Sequence, residues 1–159
     1  MSTFMKLTKA SVLLGGFLLA GTTGAVAEGY AEGDAAAGEK VFKRCASCHM
    51  VGPDAKAKVG PPLTAVFGRT MGASEEFEGK YGDSLVALGA TGAVWTPEEM
   101  FAYLEDPRKY LRAKLDDNKA KSKMAFKLKK DDQRNDVIAY IKTFSPDYKE
   151  GEGSTTESN

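Results

Sequence analysis

The sequence predicts an all-α fold of about five short helices. Three observations carry this. Helix start and stop signals recur along the chain. No stretch keeps the apolar–polar alternation of a strand. The apolar residues are also too thinly spread to fill a core unaided, so the helices need a bound body to pack against.

Each helix has its own signature. The first is predicted over 34–44, with Asp34 placed to cap it and Val41 and Phe42 apolar. A short helical stretch over 84–88 is expected to stop at Gly89. Thr96-Pro97-Glu98-Glu99 is a capping box with proline at the first helical position. It opens a helix bearing Met100, Phe101 and Leu104, which Pro107 ends or kinks. Residues 108–115 form a further short turn of helix. The last helix is predicted over 131–144. Asp131 and Asp132 suit its positive N-terminal pole, and Val137, Ile141 and Phe144 form its apolar stripe.

Composition narrows the function. The chain has 159 residues, 42% hydrophobic and 28% charged, which suits one globular domain. Its 22 basic and 22 acidic residues balance, without the basic excess of a nucleic-acid binder. Two cysteines are too few for a disulfide scaffold, and one histidine is too few for most acid–base pairs. Chemistry in this chain therefore rests on very few catalytic side chains or on a cofactor.

The ends read as processing and tail segments. Lys6 and Lys9 precede an apolar stretch over 10–20, and Ala25-Val26-Ala27 is a small-x-small cleavage site before Glu28. Removing 1–27 leaves 132 residues; it takes away two of the 22 basic residues, for a mature net charge of −2. The alternative is an uncleaved membrane anchor, since the uncharged stretch 10–27 is 18 residues long, near the spanning limit. Its glycine and threonine content favours cleavage. The expected organisation is a cleaved signal over 1–27, one domain over 28–144 and a disordered acidic tail over 145–159.

The chemistry lies in Cys45-Ala46-Ser47-Cys48-His49. C-x-x-C-H is the attachment signature of c-type haem. Two thiols three residues apart add to the two vinyl groups of one haem, and the adjacent imidazole ligates its iron. Three other readings compete with it. A thioredoxin-like pair needs a βαβ context that is missing. A structural zinc site needs a fourth ligand. A Cys45–Cys48 disulfide would leave the following histidine as coincidence. Four methionines lie beyond the signal: Met50, Met71, Met100 and Met124. Met50 adjoins His49 and cannot reach the opposite side of a haem. Met71 sits in a glycine-flanked loop, and Met100 has helical spacing suited to packing. Met124 lies in a lysine-rich loop, from which a thioether can approach iron. Spacing alone fits packing at Met124 as well as ligation.

Together these residues resemble the class I c-type cytochromes, and within them the cytochromes c2 of alphaproteobacteria. The resemblance runs from about 33 to 144. It includes Gly38, Phe42, the C-A-S-C-H motif, Gly60-Pro61-Pro62-Leu63, Phe67-Gly68-Arg69-Thr70, Tyr81, Trp95, Tyr103-Leu104, Asp106-Pro107, Lys123-Met124-Ala125-Phe126 and Asp136-Val137-Ile138-Ala139-Tyr140. It implies the class I cytochrome c fold around one covalent haem c. It implies His49 and Met124 as axial iron ligands, with the Pro61 carbonyl accepting the His49 ring N–H. It places Arg69, Tyr81 and Trp95 at the haem propionates and Tyr103 near the methionine sulfur. Two departures stand out. The segment 107–124 is several residues longer than in mitochondrial relatives, as in the long cytochromes c2, while the loop between His49 and Gly60 is short, unlike many of those. Leu85 also stands where a polar residue is common near a propionate.

A methionine–histidine pair saturates iron, which disfavours substrate binding and suits one-electron transfer. Lys119, Lys121, Lys123, Lys127, Lys129 and Lys130 crowd around Met124, and Lys56 and Lys58 follow the motif. Such a basic ring steers a haem edge toward acidic partners. The expected protein is a monomeric periplasmic carrier, not an enzyme. Its donor would be the quinol-oxidising cytochrome bc complex. Its acceptor would be a terminal cytochrome oxidase, a photosynthetic reaction centre or a peroxidase. The alternatives are an open-site haem enzyme or ligand sensor, a membrane-anchored form of the carrier, and a dedicated acceptor for one dehydrogenase.

Overall fold

The computed structural model describes residues 29–150. The expected signal, its cleavage site and residues 151–159 lie outside the described residues. Five α-helices follow in order: α1 (Ala35–Phe42), α2 (Asp83–Ala90), α3 (Pro97–Glu105), α4 (Pro107–Leu115) and α5 (Asp131–Lys142). The described residues contain no strand beyond a single antiparallel bridge between Thr70 and Val94.

The crossing of α1 and α5 frames the fold. Gly38 permits it: a Cβ there would sit 1.9 Å from the Asp136 carbonyl oxygen. The Phe42 and Tyr140 rings then meet with centroids 5.3 Å apart. The segment leading into α1 is tied to the same helix. Ala31 N–H donates to Asn135 Oδ1, and Asp34 N–H donates to Asp136 Oδ1. Asp34 caps α1 as its sequence position predicts, accepting from the Ala37 N–H at 2.8 Å.

The helix limits depart from expectation where tertiary contacts intervene. Gly89 does not stop α2, which continues to Ala90. It is instead a point of close approach, since a Cβ would lie 1.9 Å from the Met71 carbonyl oxygen. The last helix ends at Lys142, and Phe144 follows in a turn whose ring packs on Tyr140. A short 3₁₀ turn, Glu75–Phe77, has no clear sequence signal. Residues 145–150, expected to begin the tail, pack on the body. Ser145 is buried, Tyr148 stacks on Phe67 and Lys142 pairs with Glu150.

Thr96 caps α3, accepting from the Glu99 N–H, but the reciprocal half of the capping box is absent. The Glu99 carboxylate turns instead to α4, where it accepts from the Tyr110 hydroxyl and pairs with Lys114. Pro107 ends α3 and begins α4. Asp106 between them caps α4 through the Lys109 N–H and pairs with Lys127 at 2.6 Å.

These two bonds hold the Asp106 carboxyl down at about 2, the Lys127 bond being the larger cause. A carboxyl depressed on folding stabilises the fold at pH values above its ordinary 3.8. That contribution fades as pH falls toward 2. NMR titration should place Asp106 in that low range. Lys127→Ala should move it back toward 3.8; an unmoved value would contradict the pairing.

Candidate cofactor site

The C-x-x-C-H segment continues directly from α1. Cys45 N–H donates to Phe42, and the Cys48 and His49 N–H groups both donate to the Cys45 carbonyl. These tight turns present both sulfurs and the imidazole to one cavity of about 400 Å³. Cys45 and Cys48 are not joined to each other, and both are half-buried. Before haem is attached, burial pushes the Cys45 thiol up to about 11.

The imidazole is fixed from behind. His49 Nδ1 lies 2.8 Å from the Pro61 carbonyl oxygen, as the resemblance implied. With Nδ1–H donating there, Nε2 is the bare nitrogen available to a metal. Gly60 lies flat against the ring, where a Cβ would be 2.3 Å from Cε1. Burial lowers the His49 pKa and favours the neutral, ligating form.

The cavity walls are mostly apolar, with Val66, Trp95, Leu104, Leu111, Val137 and Ile141 among them. No aspartate or glutamate lines the cavity, whereas Arg44, Arg69, Lys80, Lys121 and Lys123 do. Arg69 is half-buried, donates to the Pro62 carbonyl at 2.9 Å and lies near Tyr81. Burial lowers its pKa while Tyr81 and Glu76 offset this in part. An apolar slot with cations and no carboxylates fits a flat apolar ring bearing anionic substituents. Haem has that shape and charge.

The remaining site residues fall on the same cavity. Met124 lines it, as do Tyr81, Trp95 and Tyr103. Trp95 meets Tyr103 edge-to-face at 5.0 Å. The Ser122 hydroxyl donates to the Met124 carbonyl at 2.9 Å, which leaves Tyr103 to donate to Ser122 Oγ at 3.3 Å. Tyr103 thus tethers the loop through Ser122. Met71 is buried away from the cavity, with its sulfur 3.7 Å from the Tyr110 hydroxyl. Met100 lines the cavity from α3, a placement that its helical spacing did not reveal.

The lysines divide into three groups and do not form one ring around the cavity. Lys121 and Lys123 line the cavity mouth, and Lys58 donates to the Ala46 carbonyl beside the motif. Lys127 and Lys129 instead pair with Asp106 and Glu105, acids far off in sequence that the end of α3 brings alongside. Lys56, Lys119 and Lys130 are exposed and do not line the cavity. Arg44 and Lys80 line the mouth and were missed. Arg44 precedes the motif and stacks on Phe126, a contact that only the fold creates.

Comparison with known proteins agrees with this geometry. Residues 35–145 match the family model described as cytochrome c. The chain is 48% identical over 121 residues to cytochrome c2 iso-2 of Rhodospirillum centenum, covering 72% of this chain and 98% of that one. It is 46% identical over 132 residues to cytochrome c2 of Rhodospirillum rubrum, covering 80% and 96%. The solved structure of a Rhodospirillum centenum cytochrome c2 superposes with a TM-score of 0.68 at 47% identity, over 72% of this chain and all of that one. A Paracoccus denitrificans cytochrome c2 gives 0.67 at 38%, over 74% and all. These relatives are cytochromes c2, electron-transfer proteins and not enzymes. With its C-x-x-C-H segment at the mouth of an apolar, cation-lined slot, the chain belongs to the cytochrome c family and carries covalent haem c.

Proposed function

We propose that the protein is a soluble periplasmic one-electron carrier. It takes electrons from a quinol-oxidising cytochrome bc complex and delivers them to a terminal oxidase, a photosynthetic reaction centre or a peroxidase. One observation carries this reading: the bare Nε2 side of His49 and the Met124 side chain share one apolar cavity. Haem supplies the one-electron iron couple there. Cys45 and Cys48 would anchor it, His49 and Met124 would ligate its iron, and Arg69, Tyr81 and Trp95 would meet its propionates. A thioether ligand and an apolar wall both favour the reduced iron and raise the potential. With both residues on the iron, no room would be left for a substrate, and unchanged ligands would keep reorganisation small. Secretion follows from the signal over 1–27, and N-terminal sequencing of the mature protein should begin at Glu28. A start at residue 1 would favour the membrane-anchored form.

Docking would use the mouth cations. Reduction by a purified bc complex should slow steeply as salt rises. Lys121→Ala and Lys123→Ala should each slow it several-fold at low salt and flatten the salt slope. Lys127→Ala and Lys129→Ala should do much less, because those lysines are already paired with acids. A rate indifferent to salt would sink the docking account.

A further inference from the structure

The loop that carries Met124 is long. Residues 116–130 join α4 to α5 with no helix or strand of their own. A loop of that length needs anchors to hold one side chain in place. Both of its ends have them. At the start, Asp117 N–H donates to the Arg112 carbonyl, and Arg112 Nε donates to the Ala120 carbonyl. At the end, Leu128 N–H donates to the Leu104 carbonyl, and Arg134 donates to the Leu128 and Lys129 carbonyls. Between these anchors, among the described residues, a single backbone group of 121–127 is bonded to another element. Lys121 N–H donates to Ser84 Oγ at 3.0 Å.

Ser84 offers that bond from a fixed base. It lies in the first turn of α2, and α2 starts at Gly82 with no side-chain cap, so the helix does not use the hydroxyl. α2 is itself seated closely on the chain behind it. A Cβ at Gly89 would meet the Met71 carbonyl oxygen at 1.9 Å, and one at Gly72 would meet Val86 Cα at 3.0 Å. Gly82 and Leu85 flank Ser84 and line the cofactor cavity, as do Lys121, Lys123 and Met124. A Cβ on Gly82 would touch Lys123 Cγ at 3.3 Å, and Lys123 Nζ reaches the Lys80 carbonyl at 2.7 Å. The start of α2 and the Met124 loop therefore meet along one lip of the cavity. The Lys123 bond runs through a flexible four-carbon stem, whereas the Ser84 bond grips the loop backbone directly.

We propose that Ser84 is a positioning residue for the iron ligand, holding the Met124 loop closed from α2, a role that rests on the proposed ligation of iron by Met124. Releasing the thioether requires the loop to swing away from the lip, which breaks the Ser84–Lys121 bond. That bond therefore weights the closed loop against the open one. A hydrogen bond of ordinary strength is worth about three- to ten-fold in such an equilibrium. An outside ligand that binds only the open loop has its apparent affinity scaled by the open fraction.

The test is imidazole binding to the ferric holoprotein, read by loss of the sulfur-to-iron charge-transfer band as imidazole replaces Met124. Ser84→Ala should bind imidazole about three- to ten-fold more tightly than wild type. Alanine suits a helix and Lys121 is exposed to water, so the fold should be kept. Ser84→Thr keeps the hydroxyl and should restore wild-type affinity. Thr91→Ala removes a hydroxyl bond to the Leu88 carbonyl at the other end of α2 and should leave the affinity unchanged. That contrast separates loop closure from the stability of the helix. Wild-type affinity in Ser84→Ala, or an equal rise in Thr91→Ala, would overturn the proposal. If Ser84→Ala fails to load haem, hydrogen exchange of the wild-type Lys121 amide decides: protection supports the bond, and free exchange overturns it. Met124→Ala tells the two layers apart. If it keeps the charge-transfer band, the ligand assignment fails and the role of Ser84 with it. If it loses the band while Ser84→Ala behaves as wild type, only the positioning role fails.

Discussion

Replacing Met124 by alanine is expected to open the iron to carbon monoxide and to lower the reduction potential. Cys45, Cys48 and His49 are untouched by the change, so haem should still attach. The tethers of the loop also survive, because Ser122 holds the Met124 backbone carbonyl and Lys123 Nζ donates to the Lys80 carbonyl. The effect should therefore be local to the iron. Losing the thioether should cost some tenths of a volt, within the roughly 0.8 V that axial ligands span. Voltammetry and the ferrous spectrum under carbon monoxide read both changes. Met100 gives the internal control, because it also lines the cavity. If Met100→Ala opened the iron and Met124→Ala did not, the ligand assignment would move to α3.

The largest expected effect on stability comes from Gly38→Ala. The added methyl would meet the Asp136 carbonyl at 1.9 Å, its carbon at 2.5 Å and Tyr140 Cβ at 2.8 Å. Two of these atoms are helix backbone and cannot rotate away, so α1 and α5 must separate. Overpacking of this kind should cost about 3 kcal/mol or more. The damage should also reach the site, since Cys45, Cys48 and His49 follow directly from α1. A denaturant midpoint near that of wild type would contradict the close crossing. Gly79→Ala is a useful contrast. Nothing lies within 4 Å of its Cβ, but its φ of +70° is unfavourable for alanine, which should cost about 1–2 kcal/mol.

How far the sequence alone reaches depends on the range of the forces involved. Caps are local, so Asp34 and Thr96 are readable directly and the structure shows both accepting their N–H bonds. The thiols and imidazole of C-x-x-C-H share a surface because five adjacent residues turn tightly. Gly89 misled because a glycine that stops a helix and one that admits a neighbouring backbone look alike in sequence. Glu99 misled in the same way: its spacing from Thr96 suggested a cap, but the Tyr110 hydroxyl and Lys114 compete for it across α3 and α4. Lys127 and Lys129 looked free because Asp106 and Glu105 lie about twenty positions earlier. Met100 and Arg44 reach the cavity through tertiary packing, which periodicity does not encode.

The central claim is that His49 and Met124 together close the iron. The visible spectrum of the ferrous holoprotein, with and without carbon monoxide, tests it most directly. The account predicts a spectrum that carbon monoxide leaves unchanged, because both axial positions are filled. A clear shift in the unmodified protein would show an open or labile sixth position and would contradict it.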